Sequence, residues 1–185
     1  MAASPSPTTT TSSTTSSSTT TTTTAAAEVS ETSPVVYALH TPDGVTVRYT
    51  ILAPADDEVV QRIEAFHDGV KETRPLRMIL AEVDNQSSEV FQVGDVTVTQ
   101  GDGDKVHFIE AWLHAGRWHQ YVHGKTESPF YMEGFDLTND LLARGLVQPG
   151  TVSKTVLAAE EVMTSVRSVA ARDRSGELVA LTKEG

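Results

Sequence analysis

From Pro34 onward the chain consists of short apolar runs separated by turn signals, the pattern of a β-rich domain. Runs at 35–40 and 45–52 flank Thr41-Pro42-Asp43-Gly44, where proline presets the second turn position and glycine accepts the positive φ that closes it. This predicts a β-hairpin. Next, Val59, Ile63, Phe66 and Val70 recur at intervals of 4, 3 and 4, the apolar stripe of a helix over 57–70. Asp56 or Asp57 caps its start, Gly69 lies near its end and Pro75 bars its continuation. Strands are predicted at 76–83, 90–99, 106–113 and 118–123, with polar turns at 84–88 and 101–104. A short helix at 137–144 ends at Gly145, and strands at 152–158, 162–171 and 177–181 complete the chain. Strands this regularly spaced, with one or two short helices among them, predict a mainly β fold, an antiparallel immunoglobulin-like β-sandwich over 34–185.

Residues 1–33 differ in kind. Ser and Thr fill 22 of the 33 positions and only Glu28 and Glu31 are charged, so the segment lacks the apolar surface to build a core. It is read as a disordered Ser/Thr-rich tether with a reach of at most about 110 Å, and its composition also suits an O-glycosylated stalk. The net charge of −11 and the scattered Lys and Arg residues argue against nucleic acid and anionic membrane surfaces as partners. No apolar run approaches the roughly 20 residues of a transmembrane helix, and no signal peptide is recognisable. The protein is then either cytosolic or follows an export signal removed upstream of Met1. The absence of cysteine excludes a disulfide framework and thiolate metal sites.

The run Met78-Ile79-Leu80-Ala81-Glu82-Val83-Asp84-Asn85-Gln86-Ser87-Ser88 resembles the strand and small polar cluster that open telokin-like, immunoglobulin-fold domains of secreted and lipid-anchored bacterial proteins of actinobacterial type. Leu146-Val147-Gln148-Pro149-Gly150-Thr151 resembles the Pro-Gly turn before a late strand of those domains. The similarity spans roughly 76–170. It departs in the helix that precedes it and in Val156-Leu157-Ala158-Ala159, where the family ends the strand with an apolar residue and Phe. The resemblance implies a fold and an extracellular or cell-envelope location, with a lipid anchor upstream of this sequence, and carries over no active site.

Direct signals of chemistry are sparse. There is no phosphate-binding glycine loop, nucleophile elbow or cysteine nucleophile. His119-Gln120-Tyr121-Val122-His123 has the outer spacing of a zincin helix without its Glu. On a helix the two imidazoles would lie about 6 Å apart and could share a metal; on a strand, which the aromatic and β-branched interior favours, they would be roughly 13 Å apart. Asp102 and Asp104 are read as a hairpin tip rather than a calcium loop, Asn85-Gln86-Ser87 as a turn that also matches the N-glycosylation pattern, and Glu160-Glu161 as a solvated turn.

The densest segment is 106–123. A hairpin turning at Ala115-Gly116 would place Ile109, Ala111, Leu113, Trp118, Gln120 and Val122 on a core face. Phe108, Glu110, Trp112, His119, Tyr121 and His123 would form the opposite face, whose mixture of aromatics, a carboxylate and imidazoles suits binding to a ligand or partner. The functional expectation is a non-catalytic, exported or cell-envelope interaction or structural domain, without cofactor, whose partner is a protein or envelope component. The alternative is a metal-dependent binder or hydrolytic enzyme using Glu110, His119 and His123, with Tyr121 as proton donor and His40, His67 or His107 as further ligands.

Overall fold

A computed structural model describes residues 34–184; the tether expected over 1–33 lies outside the described residues. The order of elements is β1 (Val35–His40), β2 (Val45–Ile51), α1 (Glu58–Gly69), β3 (Arg77–Asn85), β4 (Phe91–Gln92), β5 (Val96–Thr99) and β6 (Lys105–Glu110). It continues with α2 (Ala111–His119), α3 (Phe130–Gly145), β7 (Leu146–Val147), β8 (Thr151–Ala159), β9 (Ser168–Arg172), β10 (Leu178–Ala180) and β11 (Thr182–Lys183). The fold is mainly β and its strand pairs are antiparallel, with three helices rather than one or two.

Nine strands form one sheet in the order β10-β9-β5-β6-β8-β3-β2-β1-β11, and β4 pairs with β7 in a separate ribbon. The two ends of that order are consecutive in the chain, since only Leu181 separates β10 from β11. Leu178 pairs with Arg172 of β9, while Thr182 and Lys183 pair with Ala38 and Tyr37 of β1. A single C-terminal stretch therefore joins both edges, and the sheet curls into a nearly closed barrel that leaves few unpaired strand groups. The expected sandwich of two facing sheets is replaced by this continuous sheet. Its opposite seam is the short contact of β6 with β8, Ile109 with Ala158 and Glu110 with Leu157.

Alternation along each strand fills the barrel. Val45, Val47, Tyr49 and Ile51 of β2 point inward beside Ile79, Ala81 and Val83 of β3, and Val96, Val98, Val106 and Phe108 close the other side. Phe91, Val93 and Val147, on or next to the β4–β7 ribbon, join the same core. A second core lies outside the barrel: Met78 and Leu80 of β3 and Val156 and Ala158 of β8 are covered by Val60, Ile63 and Phe66 of α1, Ala111, Ala115 and Trp118 of α2, and Leu137 and Leu141 of α3. β3 and β8 are thus apolar on both faces, which is why Met78-Ile79-Leu80-Ala81 and Val156-Leu157-Ala158-Ala159 read as continuous apolar runs.

The first hairpin and α1 follow the sequence reading. Asp57 caps α1, accepting from the amides of Val59 at 3.0 Å and Val60 at 3.4 Å. The hairpin expected over 106–123 does not form. β6 ends at Glu110 and the chain passes directly into α2, with Gly116 inside the helix and three-residue turns from Gln120 to His123. The buried positions Ala111, Ala115, Trp118 and Val122 recur at 4, 3 and 4, so burial against the sheet overrides the strand preference of the aromatic and β-branched residues. Helix α3 is twice the expected length. It packs closely on its neighbours through glycine: a Cβ on Gly134 would lie 2.5 Å from Phe66 and 2.9 Å from His119. The strand expected over 90–99 is interrupted at Gly94, where a Cβ would lie 2.6 Å from the Arg172 carbonyl oxygen.

Candidate functional site

The candidate site is a cleft of about 520 Å³ at one end of the barrel, between the segment 89–95 and the β9–β10 turn. Val96 pairs with both Phe108 and Ala171, so the residues one step further, Asp95, the end of β6 and Arg172, meet at this mouth. The Arg172 amide donates to the Asp95 carbonyl at 2.9 Å. Along β6, Val106 and Phe108 point into the barrel and Glu110 is the next residue of that face, which places a carboxyl on the cleft lining.

Glu110 is 7% exposed. Its Oε2 accepts from Gln92 Nε2 at 3.2 Å, whereas Oε1 is buried without a partner. A Cβ on Gly145 would lie 2.7 Å from that oxygen, so glycine at the end of α3 makes room for the carboxyl. Burial is the main cause that pushes the Glu110 pKa up; the Trp112 indole and the Gln92 amide oppose it, and the charge of Asp95 adds to it. Trp112 Nε1 is itself buried outside hydrogen-bond geometry, so its pull on the carboxyl is that of a dipole and not of a formed bond.

The two arginines of the cleft are committed to its walls. Arg174 pairs with Asp43 at 2.7 Å and Glu89 at 3.3 Å, donates to Ser87 Oγ at 2.9 Å and covers the Phe91 ring. The Arg172 guanidinium donates to the Gly176 carbonyl at 2.7 Å, and its Nε lies 3.8 Å from the Asp95 carboxylate. Asp173 organises the turn by accepting from the Ser175 hydroxyl and from the amides of Ser175 and Glu177, and these bonds hold its pKa down, the Ser175 hydroxyl most strongly. Asp95 is half-exposed.

Of the residues expected on one binding face, only Glu110 lines this cleft. Phe108 lies in the barrel interior, and Trp112 packs half-buried on the helical layer. His119 ends α2, where its ring lies 5.3 Å from that of Tyr131 and 6.5 Å from that of His123. Tyr121 is exposed and accepts from Arg74 Nη2 at 3.2 Å, and His123 is exposed in the following turn. The shared face fails because residues 111–119 are helical. The proposed triad is also separated, since Glu110 caps one end of α2 and His119 closes the other, roughly 13 Å along the axis. His40 and His107 contact Thr46 and Thr97 on the barrel strands, and His67 lies against Trp118 with ring centroids 5.0 Å apart. Among the described residues no group of three or more His, Asp or Glu side chains could hold a metal ion.

Two polar turns differ from their sequence reading. Asn85 is fully buried and donates to the Glu89 and Val147 carbonyls at 2.9 and 2.8 Å, so in the folded domain it serves as a clamp on the β4–β7 ribbon. Glu160, expected in solvent, has a side chain 7% exposed; it pairs with Arg117 and accepts from Trp118 Nε1 and Arg74 Nη1, each at 2.7 Å. Next to it His114 donates from Nε2 to the Ala158 carbonyl at 3.1 Å and accepts from Arg117 through Nδ1 at 3.2 Å. Burial, opposed by Glu160, lowers the His114 pKa. Asp102 and Asp104 lie exposed at a hairpin tip, with the Asp104 amide donating to Asp102 Oδ1 at 3.0 Å.

No protein-family model, curated protein or solved structure matches the chain. Among the described residues no helix is long and apolar enough to cross a membrane.

Proposed function

We propose that residues 34–184 form a non-catalytic binding module that takes its ligand or partner at the barrel mouth, and that the protein works outside the cell or in the cell envelope. The observation that carries the reading is the cleft lined by Glu110, a nearly buried carboxyl with one oxygen unpartnered. Such a group is costly to keep unless something else repays its burial, and barrel mouths are recurrent ligand sites. The Ser/Thr-rich composition of 1–33 supports a tethered domain, and the resemblance over 76–170 supports the location, a lipid anchor upstream and an immunoglobulin-like ancestry of the sheet. A protein or an envelope component is the partner class; the acidic surface disfavours nucleic acid.

The test is cell fractionation of the full-length protein in its native host, together with amide mapping of the isotope-labelled protein titrated with envelope fractions. The reading expects an envelope or extracellular protein whose amides at Val90, Gly94, Asp95 and Gly176 move on titration. A cytosolic protein, or changes confined to the helical layer, would contradict it.

A further inference from the structure

We propose that the outer face of α3 pairs two copies of this chain, helix against helix and antiparallel, about a two-fold axis that passes Asn139. Pairing here does not depend on the barrel mouth being a binding site. Met132, Phe135, Asn139, Leu142 and Leu146 recur at intervals of 3, 4, 3 and 4, the spacing that lines side chains up along one face of a helix. All five are exposed, Met132 by 57% and Phe135 by 54%, whereas Gly134, Leu137, Leu141 and Gly145 on the opposite side of α3 are buried. The helix is thus apolar on two faces, and only one of them is covered.

The exposed apolar surface of the domain gathers there. Among the described residues ten large apolar side chains are exposed, and five of them are Leu113 of α2 and the four apolar members of this stripe. Helix α2 runs antiparallel to α3: His119 lies against Gly134 and Tyr131, Gly116 faces Thr138, and Glu110 meets Gly145. Leu113 therefore comes level with Leu142, and the patch extends toward α2. The other margin of α3, toward α1, is charged. There Arg62 holds Glu133 and Asp140, Arg144 holds Asp140, and Asp136 is exposed with no ion pair among the described residues. A concentrated apolar patch with a polar rim marks an interaction surface.

Two-fold pairing fits this layout in one orientation. In a two-fold contact each position meets its counterpart across the axis, so an antiparallel pair centred on Asn139 sets Phe135 against Leu142 and Met132 against Leu146 of the second copy. The α2 margins then meet, apolar on apolar, and so do the α1 margins, where Asp136 comes within reach of Arg144 of the second copy. Parallel pairing would bring each charged margin onto an apolar one. Asn139 at the centre can donate to and accept from its own counterpart, the role of a lone asparagine that fixes the register of a helix seam. Helix α3 has 16 residues; it is about 24 Å long and, with α2 beside it, about 20 Å wide, which covers on the order of 500 Å² per copy. The total of about 1,000 Å² is the lower limit of a specific interface and predicts micromolar rather than nanomolar pairing.

The chain contains no cysteine, so single introduced cysteines report the pairing directly. The full-length protein is followed by sedimentation velocity from about 1 to 200 μM, a range that brackets micromolar association, and cysteine variants are oxidised where the dimer is populated. The expected results are a monomer–dimer equilibrium, self-linking of Asn139→Cys, and linking of Phe135→Cys to Leu142→Cys but not of Phe135→Cys to itself. Phe135→Asp should weaken pairing about tenfold or more, whereas Val152→Asp, at another exposed apolar side chain, should leave it unchanged. Both positions are exposed, so each variant should keep its thermal transition. A chain that stays monomeric throughout the range overturns the proposal, and if it then co-sediments with phosphatidylcholine vesicles the face belongs to lipid. A dimer insensitive to Phe135→Asp, or one that links Phe135→Cys to itself, also overturns it, by placing the contact elsewhere or in the parallel orientation.

Discussion

Glu110 and Glu160 are both side chains carried almost wholly out of water, and they have been treated very differently by their surroundings. Glu160 has two guanidinium groups and an indole N–H arranged around it, from the segment after α1 and from α2. Glu110 has one amide donor, the dipole of the Trp112 indole, and an oxygen without a hydrogen-bond partner. The first is a clamp, in which the partners of the charge are supplied from within the fold and tie the helical layer to the end of β8. The second is a carboxyl that the fold brings to the barrel mouth with one oxygen left without a hydrogen-bond partner. A buried charge that is compensated stabilises geometry; one that is not leaves free energy for something else to recover.

The largest expected effect removes the centre of the clamp. Trp118 is fully buried, packs against His67, His114 and Phe66, and donates to Glu160. Trp118→Ala should cost about 3–5 kcal/mol as a core truncation, whereas Trp112→Ala, half-buried, should cost about 1–2 kcal/mol; urea unfolding of the two variants measures both. Glu160→Gln comes next. It keeps the shape but leaves Arg117 without its carboxylate, while Arg74 keeps Glu72 at 2.7 Å, and because both arginines are partly exposed the loss should be about 1–3 kcal/mol. Equal stability of Glu160→Gln and the wild type would show that the clamp contributes nothing.

Glu110→Gln should act in the opposite direction. Replacing an under-coordinated carboxylate by a neutral amide of the same shape should stabilise the domain by about 0.5–1.5 kcal/mol at pH 7. The pH dependence sharpens the contrast. The folded-state pKa of Glu110 lies above its unfolded value, so the native state binds the extra proton and loses stability as pH rises through that window. The advantage of Glu110→Gln should therefore be small near pH 4 and complete at neutral pH. For His114 the folded pKa lies below the ordinary imidazole value, so the unfolded state binds the extra proton and stability falls as pH drops below about 6.5. Thermal midpoints of His114→Gln between pH 7 and 5 should fall less steeply than those of the wild type.

The same two glutamates mark what could be read from sequence. Glu110 was singled out in the sequence on the wrong face: it was read with Phe108 opposite the core face of Ile109, whereas Val106 and Phe108 point into the barrel and Glu110 follows them to its mouth. Glu160 was not, because the composition around it is that of an exposed turn and its partners are 43 and 86 residues away in the chain. The strands of the barrel were legible through two-residue alternation and through the turns at 41–44, 101–104 and 173–176. Its closure was not, since pairing of the last strand with β1 depends on residues at opposite ends of the domain. In α2 the needed signal was present: Ala111, Ala115, Trp118 and Val122 have the same 4, 3, 4 spacing as the stripe of α1. Strong β-propensity at neighbouring positions concealed it, and the false hairpin gathered six residues onto a face that does not exist.

The most direct test is the titration of the Glu110 carboxyl itself, followed by carbon-13 NMR in the labelled protein with Glu110→Gln as the assignment control. Burial predicts a midpoint above the ordinary glutamate value of about 4.3. A midpoint at or below that value would mean that Glu110 is as well compensated as Glu160 and would contradict the contrast between them.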